Sequence, residues 1–346
     1  MTNSAPLSLL VLGGTAWLGR RVAAVAADRG HDVTCLARGE AGPPADGVRL
    51  VQADRRADGA YAAVADRDWD AVLDVSWQPD LVRSALAALA DRAGTWLYVS
   101  SCSVYSDDVT PGADESAPVH EPWPGTGTVG IEQYGPAKVA CERAVLDAVG
   151  PDRCLLARAG LIAGYGDGSD RYGYWPARVA RMQAPDEVLL APPMDLSVSV
   201  IDVDDLAAWL VDAAERRTSG TFNAVGDPVS FEQVLQACVV ASGNEPVAAE
   251  ASDAWLAAQG VAPWSGPESL PLWIPRAEYS GHASRTNAAA KSRGLTLRPL
   301  AETTAAALAW ERELGLERER RSGLTREREL ALITTLLGVD AQPAAD

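Results

Sequence analysis

The sequence predicts an α/β protein, a parallel sheet covered by helices on both faces. Three observations predict it. Short apolar runs alternate with helical runs in units of ~30 residues, which implies a parallel sheet covered on both faces. A glycine-rich loop, Gly13 to Gly19, separates the first apolar run from the first helix. The chain has 346 residues, 47% apolar and 22% charged, enough to bury a substantial core.

Each element follows from its local pattern. Ser8–Leu12 is a continuous apolar run stopped by Gly13 and Gly14, so it reads as a buried strand. From Trp17 to Arg29, Leu18, Val22, Val25 and Ala26 recur at helical spacing. Further strands are expected over Asp32–Ala37, Val48–Gln52, Asp70–Ser76, Thr95–Ser100 and Arg153–Ala159. Helices are expected over Pro79–Arg92 and Gln133–Val149. Beyond Gly160 the rhythm loosens into loops rich in Gly, Pro and aromatics, Gly164–Pro176 and Ala191–Asp195. Two strand–helix units remain legible: Val198–Val203 into Asp204–Arg216, and Gly220–Val225 into Phe231–Ser242. Trp264–Pro275, with three prolines, reads as loop, and helices over Ala301–Leu314 and Arg326–Leu337 close the pattern. Residues 1–160 are thus expected to form the dinucleotide-binding core, with 196–225 adding later units. Residues 161–195 and 226–340 are expected to form the substrate-binding part.

Charge and composition exclude several function classes. The balance of 30 Lys+Arg against 47 Asp+Glu, a net charge of −17, opposes nucleic acid or an anionic membrane as partner. No apolar run approaches the ~20 residues that span a bilayer, and Met1–Ser8 has no basic region of the signal-peptide kind. Five scattered cysteines and three distant histidines predict neither a disulfide framework nor a metal site. The expectation is a reduced, cytoplasmic protein acting on a small molecule. The sign-alternating stretch Glu311–Arg328 is read as a solvated helical face or the rim of a homodimer.

Four motifs carry chemistry. In Gly13-Gly14-Thr15-Ala16-Trp17-Leu18-Gly19, missing side chains admit a pyrophosphate to the backbone and the helix start offers N–H groups. Ala16 stands at the central glycine of the G-x-x-G-x-x-G pattern and narrows that approach by one methyl. Arg38 follows Ala37 at the end of the second strand, where NAD-preferring folds place a carboxylate on the ribose. A guanidinium there suits a 2′-phosphate, so NADP(H) is favoured over NAD(H); a solvent-facing or adenine-stacked Arg38 is the other reading. Asp54 after the third strand, with Arg55 beside it, is placed for the adenine amino group or for a helix cap. Tyr134 and Lys138 lie four apart, hence on one helix face. An ammonium beside a phenol, whose free pKa is about 10, favours the phenolate and makes it a usable base. Ser100, Ser101, Cys102, Ser103 and Tyr105 end the fifth strand, and hydroxyls at that edge face the ligand crevice.

Together these residues resemble the extended short-chain dehydrogenase/reductase family, of the NAD-dependent epimerase/dehydratase type. The resemblance rests on Gly13–Gly19, Asp54, Ser100–Tyr105, Tyr134 and Lys138 with Glu142, Arg158–Gly164 and Val200–Leu206, in the family's order. It implies a doubly wound parallel Rossmann sheet with a smaller C-terminal substrate domain, and a Ser–Tyr–Lys catalytic set, which falls on Ser101, Tyr134 and Lys138. Ser76 and Gly160, at the ends of the fourth and sixth strands, complete the implied cofactor set. Where sugar-nucleotide dehydratases carry an Asp–Glu pair, this chain has Cys102 and Ser103, which disfavours dehydration.

The loops at the carboxyl edge of the sheet are aromatic. Trp77, Trp123, Tyr174 and Trp175 are expected to line the substrate space, with Ser103 and Arg171 as polar contacts. Arg178 is expected to pair with a carboxylate. Asp107–Glu132, with four prolines, reads as a lid or binding loop. The first reading is an NAD(P)-dependent oxidoreductase interconverting a secondary alcohol and a ketone. The alternatives are a redox-neutral nucleotide-sugar epimerase with tightly bound NAD, and a non-catalytic dinucleotide sensor.

Overall fold

Seven parallel strands form the main sheet of the computed structural model, which describes residues 5–182 and 187–338. Six of them are β1 (Ser8–Leu12), β2 (Asp32–Ala37), β3 (Arg49–Gln52), β4 (Trp69–Asp74), β5 (Ala93–Ser101) and β6 (Cys154–Ala159), and Gly220–Ala224 is the seventh. They lie in the order β3-β2-β1-β4-β5-β6 followed by Gly220–Ala224, all parallel. Strand order reverses between β1 and β4, and ligand crevices in such sheets open outside the carboxyl ends at that point.

The chain divides into two compact units. The first contains the chain up to Leu161 together with Val203–Gly226 and Arg285–Leu297. Its helices are α1 (Trp17–Asp28), α2 (Pro79–Leu89), α3 (Tyr134–Val149) and Val203–Arg216. The apolar positions of α1 read from the sequence, Leu18, Val22 and Ala26, are all buried. On one face of the sheet, Leu10, Leu12, Val72, Trp96 and Leu156 pack with Val82, Leu86 and Leu89 of α2 and Cys141, Val145 and Val149 of α3. Each such aliphatic side chain contributes about 1.5–3 kcal/mol of burial. The expected fourth strand ran to Ser76, but β4 ends at Asp74. The Asp74 carboxylate accepts the N–H of Ser76 at 2.9 Å, so a side-chain turn replaces the ladder.

The second unit contains Ile162–Asp202, Asp227–Ser284 and the chain from Arg298 onward. It is mainly helical: Tyr174–Ala180, Phe231–Ser242, Leu300–Leu314 and Arg326–Leu337 are its principal helices. Ser230 and Gln233 form a reciprocal capping box at the start of Phe231–Ser242, which fixes that helix's first turn. The stretch read as loop, Trp264–Pro275, contributes to a short parallel pair, Ala262–Trp264 with Ser269–Pro271. Arg178 is buried and pairs with Glu329 at 2.6 Å and Glu187 at 3.2 Å, as expected of it.

Glu311–Arg328 keeps much of its expected solvated face, since Arg312, Glu313, Glu317, Glu319, Arg321 and Glu327 are exposed. Glu311 departs from it: it is 1% exposed and accepts from Arg318 at 3.1 Å and Arg320 at 2.8 Å. Among the described residues, no helix is long and apolar enough to cross a membrane.

Candidate active site

The glycine loop leaves β1 at the switch point. Gly13 has φ +92°, and a Cβ there would lie 2.7 Å from the Val75 side chain after β4, so only glycine fits between the two strand ends. A Cβ at Gly19 would lie 2.5 Å from the Gly13 carbonyl, so α1 starts directly against the loop. Ala16 is the N-cap of α1 and has no side-chain cap. The loop therefore combines a tight backbone cradle with an uncapped helix start, the arrangement that receives a dinucleotide's pyrophosphate. Thr15, Leu18 and Gly19 are buried within it, and Ala16 and Trp17 are more open.

A second cluster forms where β4 and β5 separate. The last β4–β5 pair is Asp74 opposite Tyr98. Beyond it, the Lys138 ammonium donates to Ser76 O at 3.1 Å and Val99 O at 2.6 Å, and so spans the gap between the diverging strands. It lies 4.8 Å from the Tyr98 ring centroid and 6.0 Å from that of Tyr134. The Tyr98 hydroxyl also donates to Ser76 O, at 2.9 Å. Trp77 and Tyr134 meet with ring centroids 5.4 Å apart. Tyr134 is half-buried, and its hydroxyl has no hydrogen-bond partner among the described residues.

The strand-end hydroxyls sit beside this cluster. Ser101 caps the turn Cys102–Val104, accepting the Ser103 N–H at 3.1 Å, and its hydroxyl donates to Ser103 Oγ at 3.2 Å. α3 reaches this turn because residue 135 is glycine: a Cβ there would collide with the Ser103 carbonyl. Gly135 is thus a site residue that the sequence reading passed over, although it lies inside the Tyr134–Lys138 motif.

Below these hydroxyls, Glu142 accepts from Ser100 Oγ at 2.5 Å and from Arg158 at 2.8 and 3.0 Å. Cys102 is buried, its thiol is pushed up to about 12 by that burial, and it donates to the Arg158 carbonyl at 3.4 Å.

Other expected site residues divide. Asp54 is exposed after β3, and one of its oxygens accepts the Arg56 N–H at 2.9 Å, which makes it a turn cap with the other oxygen open. The Arg55 guanidinium is committed to protein partners. It makes a two-point pair with the fully buried Asp74 at 2.7 and 2.9 Å and also donates to Tyr61 and Leu81 O. Asp74 ends an apolar strand and needed a buried cation; that need was the missed signal.

Gly160 packs against Val225, with a Cβ there 3.0 Å away, and donates its N–H to Ala224 O. Trp123 is half-buried and its N–H donates to Pro136 O at 2.9 Å. The loop that carries it is further pinned by Gln78, which exchanges hydrogen bonds with Val129 at 2.8 and 3.1 Å.

In the second unit, Arg171 stacks 5.1 Å over Trp264. Tyr174 and Trp175 are corrected from substrate contacts to core. Both are buried, Trp175 packs edge-on at 4.5 Å from Phe231, and its indole donates to Pro271 O at 2.9 Å.

Residues 9–225, more than half of the chain, match the NAD dependent epimerase/dehydratase family, and the chain belongs to that family. It is an NAD-dependent epimerase-family enzyme. No curated protein matches it. Among solved structures it is similar to a candidate epimerase from Burkholderia cenocepacia J2315 (23% identity, TM-score 0.67, covering 89% of this chain and 99% of that one). It is also similar to WbmG of Bordetella bronchiseptica in complex with NAD and UDP (15%, TM-score 0.65, 90% and 97%). A third similar structure is MoeE5 in complex with UDP-glucose and NAD (18%, TM-score 0.60, 89% and 99%).

The expectation of NADP(H) is overturned. WbmG and MoeE5 both hold NAD, and the family is NAD-dependent. Arg38 takes the solvent-facing reading: it is half exposed and pairs with Glu40 at 2.9 Å.

Proposed function

We propose that this protein is a redox-neutral epimerase of a nucleotide sugar that works with tightly bound NAD. The observation that carries the reading is the convergence of Tyr134, Lys138 and Trp77 where β4 and β5 separate, next to the glycine loop at the switch point. The two neighbours with a bound uridine nucleotide, WbmG with UDP and MoeE5 with UDP-glucose, support a nucleotide-sugar substrate.

In this reading Gly13, Thr15, Ala16, Trp17, Leu18 and Gly19 hold the pyrophosphate, Asp54 the adenine, and Ser76 and Gly160 flank the nicotinamide side. Bound NAD supplies a reversible hydride acceptor. Tyr134 would take the proton from a sugar hydroxyl as that carbon is oxidised to a ketone, and return it to the same oxygen when the carbon is re-reduced from its opposite face. Lys138 has three N–H donors and spends two on Ser76 O and Val99 O, so the third is available to a ribose hydroxyl. Ser101, held by Ser103, hydrogen-bonds the reacting oxygen, while Trp77 and Trp123 offer ring faces to the sugar. Dehydration is disfavoured because a buried thiol pushed up to about 12 at Cys102 cannot abstract a proton at neutral pH.

The test uses purified protein. Denaturation should release stoichiometric NAD, and incubation with UDP-sugars should interconvert C4 or C2 epimers without added cofactor. A protein that exchanges dinucleotide rapidly and turns over only with added NADH, or a Tyr134→Phe variant as active as wild type, would overturn the proposal.

A further inference from the structure

We propose, on the reading of Ser101 as the hydroxyl that bonds the reacting oxygen, that Arg285 is a positioning residue for the reaction: its guanidinium, stacked on Tyr105, fixes the turn that carries Ser101 and Ser103. Arg285 belongs to the first unit, to which the segment Arg285–Leu297 returns late in the chain. It is 2% exposed, and its guanidinium carbon lies 3.8 Å from the Tyr105 ring centroid. That is well inside the roughly 6 Å over which a cation and an aromatic face attract.

Tyr105 closes the turn Cys102–Val104, its N–H donating to Cys102 O at 3.2 Å. The buried ring is held from several directions. Arg158 is a second cation over it, at 4.8 Å, and is itself bound by Glu142 of α3. The Tyr105 hydroxyl donates to Asn223 Oδ1 at 2.6 Å, and burial pushes that phenol up to about 12, so it stays a donor. Asn223 in turn donates to Thr286 O at 3.1 Å. Arg285 and Thr286, neighbours in sequence, thus hold one ring by its face and, through Asn223, by its hydroxyl. They also grip the chain beyond it. Arg285 donates to Asp107 O and pairs with Asp108 at 3.4 Å, and the Thr286 N–H donates to Ala113 O at 3.2 Å.

Arginine is a costly residue at this place. Nε and Nη1 of Arg285 are buried and make no hydrogen bond among the described residues. Buried donors without partners subtract stability, and an apolar side chain of similar length would fill the space without them. What an apolar chain cannot supply is a planar cation on the ring together with a donor to Asp107 O. With its far end held in this way, the turn presents the Ser101 and Ser103 hydroxyls at one place, where a displacement of about 1 Å can cost ~100-fold in rate.

The test compares full-length wild type, Arg285→Met and Arg285→Lys, each with bound NAD. Hydrogen exchange followed by mass spectrometry reads the turn directly, since the Ser103 and Tyr105 amides are both bonded within it. Arg285→Met should speed exchange there at least about tenfold while β1 and α1 keep wild-type rates, which marks local and not global opening. Its kcat for sugar epimerisation should fall about tenfold with KM and NAD content unchanged, because Ser101 acts on the reacting oxygen. Arg285→Lys keeps a cation and one donor, and should recover at least half of both losses. Exchange and NAD content need no substrate, so a wild type that epimerises no sugar refutes the epimerase reading and leaves exchange to decide the role of Arg285. Wild-type exchange or wild-type kcat in Arg285→Met overturns the proposal. So does a rise in exchange shared equally by β1 and α1, a failure of Arg285→Met to fold, or no recovery in Arg285→Lys, since the side chain would then be a structural filler only.

Discussion

Lys138 and Tyr134 should be separable by stability although both are needed for turnover. Lys138 is 3% exposed and donates to Ser76 O at 3.1 Å and Val99 O at 2.6 Å. Hydrogen bonds from a charged donor contribute about 1.5–3 kcal/mol, and a buried acceptor left without a partner costs about 1–3 kcal/mol. Lys138→Met leaves Ser76 O its Tyr98 partner but removes the ammonium from Val99 O. Methionine also relieves the cost of burying a charge, so the net loss is about 2–4 kcal/mol. Tyr134→Phe keeps the ring against Trp77, 5.4 Å away, and removes a hydroxyl with no partner among the described residues. Its cost should stay within about 0.5 kcal/mol. Urea unfolding of both variants, followed by fluorescence, reads the difference. A Lys138→Met midpoint equal to wild type would refute the role given to Lys138 as the tie between the parting strands. A strongly destabilised Tyr134→Phe would mean that the phenol is structural.

The remaining predictions concern the cradle, the core and titration. Gly19→Ala puts a Cβ 2.5 Å from the Gly13 carbonyl, so NAD affinity should fall about tenfold by calorimetry; an unchanged Kd contradicts the close-packing argument. Trp175→Phe removes the donor to Pro271 O and should cost about 1–3 kcal/mol with KM unchanged. A shifted KM at constant stability would return Trp175 to the substrate. Burial pushes the Cys35 and Cys102 thiols up to about 12 and those of Cys141 and Cys154 up to about 11, so a thiol reagent at pH 8 should react only on unfolding. Because these folded values lie above the unfolded one of about 8.5, their stabilisation is complete below that pH and is lost as pH rises through about 11–12. Glu142→Gln should cost about 3–5 kcal/mol by stranding the buried Arg158 charge, while Glu142→Leu with Arg158→Met should recover most of it, as a denaturation cycle would show.

Local signals were legible in the sequence and distant pairings were not. The β1 run, the glycine loop and the spacing of Tyr134 and Lys138 each depend on residues a few positions apart, so periodicity and glycine placement expose them. Arg55 was misread because its partner, Asp74, lies 19 residues away on another strand, and nothing local distinguishes a buried ion pair from a ligand contact. Tyr174 and Trp175 were misread for a related reason: an aromatic run after a strand looks the same whether it faces a cavity or Phe231. Arg38 was read as a 2′-phosphate ligand although Glu40, two residues on, was already in view; a helical or strand template does not foretell that two loop side chains will close on each other. That Cys102 cannot do a dehydratase carboxylate's work was legible from its residue type; its burial comes from the structure.

The position of Glu142 explains why so short a motif fixes so much geometry. Tyr134, Lys138 and Glu142 recur every four residues, so they form one row along the face of α3 that meets the sheet. Each contacts a different part of the carboxyl edge: Tyr134 meets Trp77 beyond β4, Lys138 ties Ser76 O to Val99 O, and Glu142 joins Ser100 on β5 to Arg158 on β6. A helix held at one point could rotate or slide; held at three, across three strands, it keeps both its phase and its depth. Buried ion pairs rarely out-stabilise apolar side chains of the same size, so the Glu142–Arg158 pair is better understood as fixing position than as adding stability. Its effect is to hold the phenol of Tyr134 at one height above the strand ends, which proton transfer to a substrate oxygen requires to within fractions of an ångström.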